Sequence, residues 1–234
     1  MVTQLPLFTG FDPQGLLFLH DVRQNNSKEW FDENRSIYDN LLVKPFRSLV
    51  SELALPMLQI DDQFETRPAI GKTLSRIHRD TRFSRDKSLY RSNLWLTFKR
   101  SSKNWTDAPT YFFEFGPDWW RYGLGYYSAS RETMNLFREK MLDNRDHFLS
   151  ITQPLLSDFS LEGESYKRPL LKEPQALADW YNRKSFALIY DGKEMETLFD
   201  DKLPGLLQAG FERLAPLYHF LMEVEAQKRR TTLN

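Results

Sequence analysis

Between Tyr111 and Tyr127, nine of seventeen residues are aromatic. Tyr111, Phe112, Phe113 and Phe115 form one cluster, and Trp119, Trp120, Tyr122, Tyr126 and Tyr127 form another. Gly116-Pro117-Asp118 separates them as a turn, so the two clusters read as aromatic strands. Upstream, Asn93–Arg100 alternates, with Leu94, Leu96 and Phe98 on one side and Trp95, Thr97 and Lys99 on the other. An antiparallel meander of at least three strands follows. Strand alternation sends the aromatic rings to both faces of that sheet. One face then serves as core. The other is either a stacking platform for bases or sugars, or a packed surface of cross-strand aromatic pairs. Within the ribbon, Glu114 is the carboxylate most exposed to burial, and an arginine such as Arg79 or Arg82 is its expected partner if it faces the basic segment described below.

Helices flank this ribbon in the sequence. Asp12-Pro13 predicts an N-cap with proline in the first turn of a short helix that stops at Gln24-Asn25. Asn26 with Glu29 predicts a capping box opening a second helix. Its apolar stripe runs through Trp30, Phe31, Ile37, Tyr38, Leu41 and Leu42. Pro45 starts or kinks a third piece ending near Pro56. Ser130 is expected to cap a helix bearing Met134, Phe137, Met141 and Leu142. A short helix at Gln175–Asn182 and a strand at Ser185–Tyr190 follow. Leu203–Lys228 is helical by pattern, with Pro216 expected to kink or break it. With no repeat or flexible linker, residues 1–234 read as a single α+β domain, a mostly antiparallel sheet flanked by helices.

Composition removes several chemistries. The 234 residues contain no cysteine, which excludes disulfides, thiolate metal sites and cysteine nucleophiles. The 32 basic and 32 acidic residues cancel, so no global charge draws the chain to nucleic acid or membranes. Met1 to Gly10 has neither a basic region nor a long apolar run, and no apolar stretch reaches about 18 residues, so no leader or membrane span is expected. The expected compartment is the cytoplasm.

The chemistry-bearing segment is 76–91. Arg76, Arg79, Arg82, Arg85, Lys87 and Arg91 stand against only Asp80 and Asp86, a local net charge of +4. Guanidinium forks bind phosphate or carboxylate in a bidentate manner, and Ser84 and Tyr90 add neutral donors. Two readings follow. Arg76, Arg79, Arg82, Lys87 and Tyr90 form a ligand site for an anion, with Asp80 or Glu114 as acid–base candidates. Alternatively, Arg79, Arg82 and Lys87 bond Asp80, Asp86 and loop carbonyls as an architectural network.

Other motifs fail on their own terms. His78-Arg79-Asp80 copies the start of a kinase catalytic loop, but position 85 is arginine where that loop needs asparagine. Gly71-Lys72-Thr73 ends like a phosphate-binding loop, yet Thr66 stands at the leading glycine position and Pro68 spoils the cradle. There is no Gly-x-Ser-x-Gly elbow. Asp191-Gly192-Lys193 suits a plain turn as well as a nuclease half-site. His20, His78, His147 and His219 are scattered and indicate no metal site.

Several phrases resemble one known family. Asn25-Asn26-Ser27-Lys28-Glu29-Trp30-Phe31 resembles its opening. Arg76-Ile77-His78-Arg79-Asp80-Thr81-Arg82-Phe83-Ser84-Arg85-Asp86-Lys87-Ser88-Leu89-Tyr90-Arg91 resembles its central signature. Lys167-Arg168-Pro169 and Lys184-Ser185-Phe186 resemble its C-terminal landmarks. The family is domain of unknown function 2461, and the likeness spans about residues 10 to 225. One departure is Tyr122-Gly123-Leu124-Gly125-Tyr126-Tyr127-Ser128, where the family's glycine-rich turn carries a third glycine and a proline. The resemblance implies a shared fold and supplies no activity.

Three functions remain. The first is a soluble domain, enzymatic or not, that binds an anionic small molecule bearing phosphate or carboxylate. The second is a non-enzymatic structural or protein-interaction domain. The third is a nucleic-acid-binding domain using the basic loop and the aromatic ribbon. Cofactor and oligomeric state are not specified by these residues.

Overall fold

The computed structural model describes residues 6–82 and 85–232. Ser84, named above as a neutral donor, lies outside the described residues. The fold is α+β, with α1 (Pro13–Val22), α2 (Lys28–Ile37) and α3 (Lys44–Ile60) preceding β1 (Leu94–Phe98), β2 (Thr110–Phe115) and β3 (Trp120–Gly125). Then come α4 (Arg131–Asp143), α5 (Arg145–Thr152), β4 (Ser160–Glu162), α6 (Gln175–Tyr181), β5 (Ala187–Asp191) and α7 (Leu203–Thr232). The strands form an antiparallel sheet in the order β1-β2-β3-β5-β4. No described helix is long and apolar enough to cross a membrane.

Contacts gather into two compact units. The first comprises described residues of Met1–Phe98, Phe112–Tyr122 and Asp191–Ala209. In it, Asp12 caps α1 by accepting the Gln14 N–H at 2.8 Å, as the Asp-Pro pair predicts. The second helix starts differently from its expected capping box. Ser27, not Asn26, is the N-cap, its hydroxyl accepting the Trp30 N–H at 3.2 Å. Asn26 is released for another role. A π-helical stretch, Tyr38–Val43, carries α2 into α3, and α3 runs through Pro56 to Ile60. Burial pushes the Tyr38 phenol up to about 12, reinforced by Asp39 and opposed by a bond to the backbone of Ile77. The unit's core is aromatic. Phe46 stacks on Phe115 at 5.2 Å and 4°, and Phe11 meets Phe115 edge-on at 4.7 Å. Burying each such ring contributes about 1.5–3 kcal/mol.

The second unit comprises Lys99–Tyr111, Gly123–Tyr190 and described residues of Gly210–Asn234. Ser130 caps α4 through the Thr133 N–H, and Met134, Phe137 and Met141 are fully buried. Phe137, Phe148, Trp180, Phe186 and Phe220 form one continuous cluster. β4 and β5 pair antiparallel, Leu161 opposite Leu188. Gly123 and Gly125 fall in the second aromatic strand read from the sequence, and they lie within β3. A Cβ on Gly123 would sit 2.0 Å from the Leu188 carbonyl oxygen, and one on Gly125 would sit 2.4 Å from the Ala187 Cα. Here glycine serves close backbone approach rather than chain reversal. Pro216 neither breaks α7 nor ends it. Leu214, Leu217, Tyr218 and Leu221 around it are all buried, and this packing outweighs a ring that costs an exposed helix about 3 kcal/mol.

Candidate functional site

The basic segment folds as a hairpin in the first unit. Arg79 N–H donates to the Leu89 carbonyl and Arg91 N–H to the Ile77 carbonyl, each at 2.8 Å, with His78 opposite Tyr90. Of the apolar members of this pairing, Ile77 and Tyr90 are buried and Leu89 is exposed. The Tyr90 ring lies flat on Phe31, 4.3 Å away at 12°. The His78 ring sits 4.9 Å from Tyr90 and 5.6 Å from Phe31. The hairpin is thus held through its aromatic base, while Arg76, Asp80, Arg82, Arg85, Asp86 and Lys87 are exposed.

Asn26 fastens the same base. Its Oδ1 accepts the Leu89 N–H at 2.5 Å and the Tyr90 N–H at 3.0 Å. Its Nδ2 donates to the Tyr90 carbonyl at 2.9 Å and to the Val22 carbonyl at 3.0 Å. Every hydrogen-bonding direction of one side chain is therefore used in joining the end of α1 to the hairpin.

The two hairpin aspartates are already committed. Arg82 grips Asp80 with Nε at 2.9 Å and Nη2 at 2.6 Å. These bonds, with a further one from the Arg82 amide, hold the Asp80 carboxyl down to about 2. Arg79 reaches Asp86 at 2.8 Å, and the Ser88 N–H and hydroxyl help to hold the Asp86 carboxyl below its ordinary range. Lys87 donates to the Thr81 carbonyl at 2.9 Å. Arg76 and Arg85 are exposed and have no ion pair among the described residues. The Arg76 guanidinium instead lies against Gly71. The expected ligand set therefore divides: Arg76, Arg82 and Lys87 are at the surface, Arg79 is partly buried, and Tyr90 is inside.

Glu114 stands apart from this group. Its Oε1 accepts from Asn93 at 2.6 Å, and its Oε2 accepts from Arg121 Nε at 3.0 Å and Nη2 at 2.9 Å. The partner is Arg121 rather than Arg79 or Arg82, because the three residues come from adjoining positions on or beside β1, β2 and β3. Arg121 also lies over the Trp119 ring at 5.2 Å. Both carboxylate oxygens are engaged. Among the described residues, no three His, Asp or Glu side chains converge as metal ligands.

A feature that sequence reading missed lies in the second unit. A cleft of about 420 Å³ opens between the 100–109 loop and the face of α7 bearing Tyr218, Met222, Glu225 and Lys228. Lys228 Nζ donates to Asp107 Oδ2 at 2.5 Å and lies 3.8 Å from Glu225 Oε2. Burial pushes the Asp107 carboxyl up, but Lys228, the Ser130 N–H and Thr133 outweigh it and hold the group below its ordinary range. Asp107 and Lys228 are separated by 121 positions. No spacing rule connects residues so far apart, so no motif signals them.

A family model described as conserved hypothetical protein (DUF2461) matches residues 14–220. The chain belongs to the DUF2461 family. Within this DUF2461 chain, the matched region includes both the hairpin and Asn26. No curated protein matches it.

Proposed function

We propose that this DUF2461 chain is a binding domain for an anionic small molecule, received by the exposed cations of the 76–91 hairpin. The observation that carries this reading is the persistence of a +4 charge on a segment whose own carboxylates are both paired, in a chain of zero net charge. Arg76, Arg82 and Lys87 would contact the anion. Arg79, half shielded and paired with Asp86, would hold the two arms together, and Tyr90 would anchor the base. The Arg82–Asp80 pair is exposed on both sides, so exchanging Asp80 for a ligand phosphate sacrifices little. Asp80 as a proton acceptor is disfavoured by its low carboxyl value, and Glu114 by its occupied oxygens, so the reading is binding rather than catalysis.

Isothermal titration with inorganic pyrophosphate tests this, at about 20 and 200 mM salt. Binding is expected at low salt, weakened about tenfold or more by an Arg76→Ala/Arg82→Ala variant and by added salt. No heat at low salt, or undiminished affinity in the folded variant, overturns it. The four bonds of Asn26 favour a second reading, in which the hairpin is architectural and meets a protein partner. That reading gains if pyrophosphate is inert while Arg79→Ala lowers the melting temperature.

A further inference from the structure

Four charged side chains line the cleft beside α7, and each is already engaged. Lys228 Nζ donates to the Asp107 carbonyl at 3.3 Å as well as to its carboxylate, and lies 3.8 Å from Glu225 Oε2. The other Asp107 oxygen accepts the Ser130 N–H at 2.6 Å. Arg100 is likewise engaged. An ion of either sign would have to displace one member of a pair, Asp107 and Lys228, whose side chains are only 15% and 17% exposed. Stranding such a charge is costly, whereas an uncharged ligand leaves the network intact. We propose that the cleft binds an uncharged, mainly apolar small molecule whose hydrogen-bonding head is a carboxamide or lactam.

The closed network leaves open an apolar wall and one amide. Ala108, Pro109, Tyr218 and Met222 line a volume of about 420 Å³, within the range of small-molecule sites. Pro109 and Tyr218 are buried and so fixed, while the half-buried Met222 is unbranched and adapts to the shape laid against it. Covering this wall with hydrocarbon supplies the attraction. Orientation comes from Asn104. Its backbone is spent on the loop, the N–H donating to Ser102 Oγ at 3.1 Å and the carbonyl accepting the Asp107 N–H at 3.0 Å. Its carboxamide belongs to the lining, is exposed, and has no hydrogen-bond partner among the described residues. A carboxamide offers one acceptor and two donors, and the uncharged edge that complements it is a second amide.

The test is an NMR titration of the full chain, isotope-labelled at its six methionine methyl groups. The probes are 3-phenylpropanamide, 3-phenylpropanoate and 3-phenylpropylamine, which share a ring and chain and differ in charge. The amide is expected to move the Met222 signal to saturation, while Met57 and Met195, in the first unit, stay in place. Either charged analogue should bind about tenfold or more weakly, because its charge finds no open partner. Asn104→Asp keeps the acceptor but loses both donors, and should weaken the amide about fivefold. The other methionine signals report that this variant is folded. Arg76→Ala/Arg82→Ala should bind the amide as the wild type does. A Met222 signal unmoved by millimolar amide overturns the proposal, as does equal or tighter binding of either charged analogue. Undiminished affinity in folded Asn104→Asp overturns the assignment of the amide head to this loop.

Discussion

The carboxamide of Asn26 pairs with Tyr90 much as one strand residue pairs with another. It accepts the Tyr90 N–H at 3.0 Å and donates to the Tyr90 carbonyl at 2.9 Å. A side chain here replaces a missing neighbouring strand. Asn26→Ala would leave the Leu89 and Tyr90 amides without their acceptor and should cost about 2 kcal/mol in urea denaturation. Asn26→Asp keeps the acceptor but loses both donors and sets a carboxylate against two carbonyls. It should be about as destabilising as alanine. A helix-capping role would instead make aspartate harmless.

Protonation should spare the hairpin until strongly acid pH. Because the folded Asp80 carboxyl lies near 2, below the unfolded value of about 3.9, its contribution is complete above the unfolded value. It is lost as pH falls through about 2. Carboxyl titration followed by NMR should place the Asp80 midpoint near 2 in the wild type. In Arg82→Ala it should return towards the ordinary value.

Arg121 answers a half-buried carboxylate with two bonds, so Arg121→Met should lower stability by about 2 kcal/mol. Adding Glu114→Gln removes the stranded charge. The double variant should therefore lose less than the sum of the single losses, read from the midpoints of chemical denaturation.

Gly123→Ala should cost about 3 kcal/mol, at the upper end for an added methyl group. The obstructing atom is the Leu188 carbonyl oxygen, part of a paired strand with little freedom to retreat. Gly205→Ala, with nothing within 4 Å of the added carbon, should be neutral or stabilising in the same melting assay.

Where the information was local, the residues declared the structure. Asp12-Pro13 and Ser130 specify helix starts through atoms one to three positions away. The alternation of Leu94, Leu96 and Phe98 specifies a buried strand face, because neighbouring side chains on a strand leave on opposite sides. Asn26 with Glu29 has the letters of a capping box, yet the cap is Ser27, one position on. Only folding showed that the Asn26 side chain faces Tyr90, 64 positions away.

The candidate sites divide along the same line. The charge of segment 76–91 is legible from its sixteen consecutive residues. Which arginines are spent on Asp80 and Asp86, and that Tyr90 is inside, depends on how the arms pair. Glu114's attachment to Arg121 follows from strand adjacency, and the Asp107–Lys228 contact joins residues 121 positions apart. Sequence spells out propensity and pattern because backbone geometry repeats every two or every 3.6 residues. Long-range partners obey no such period. They are chosen when burial brings distant segments together and each buried polar group must find the complement that folding puts within reach.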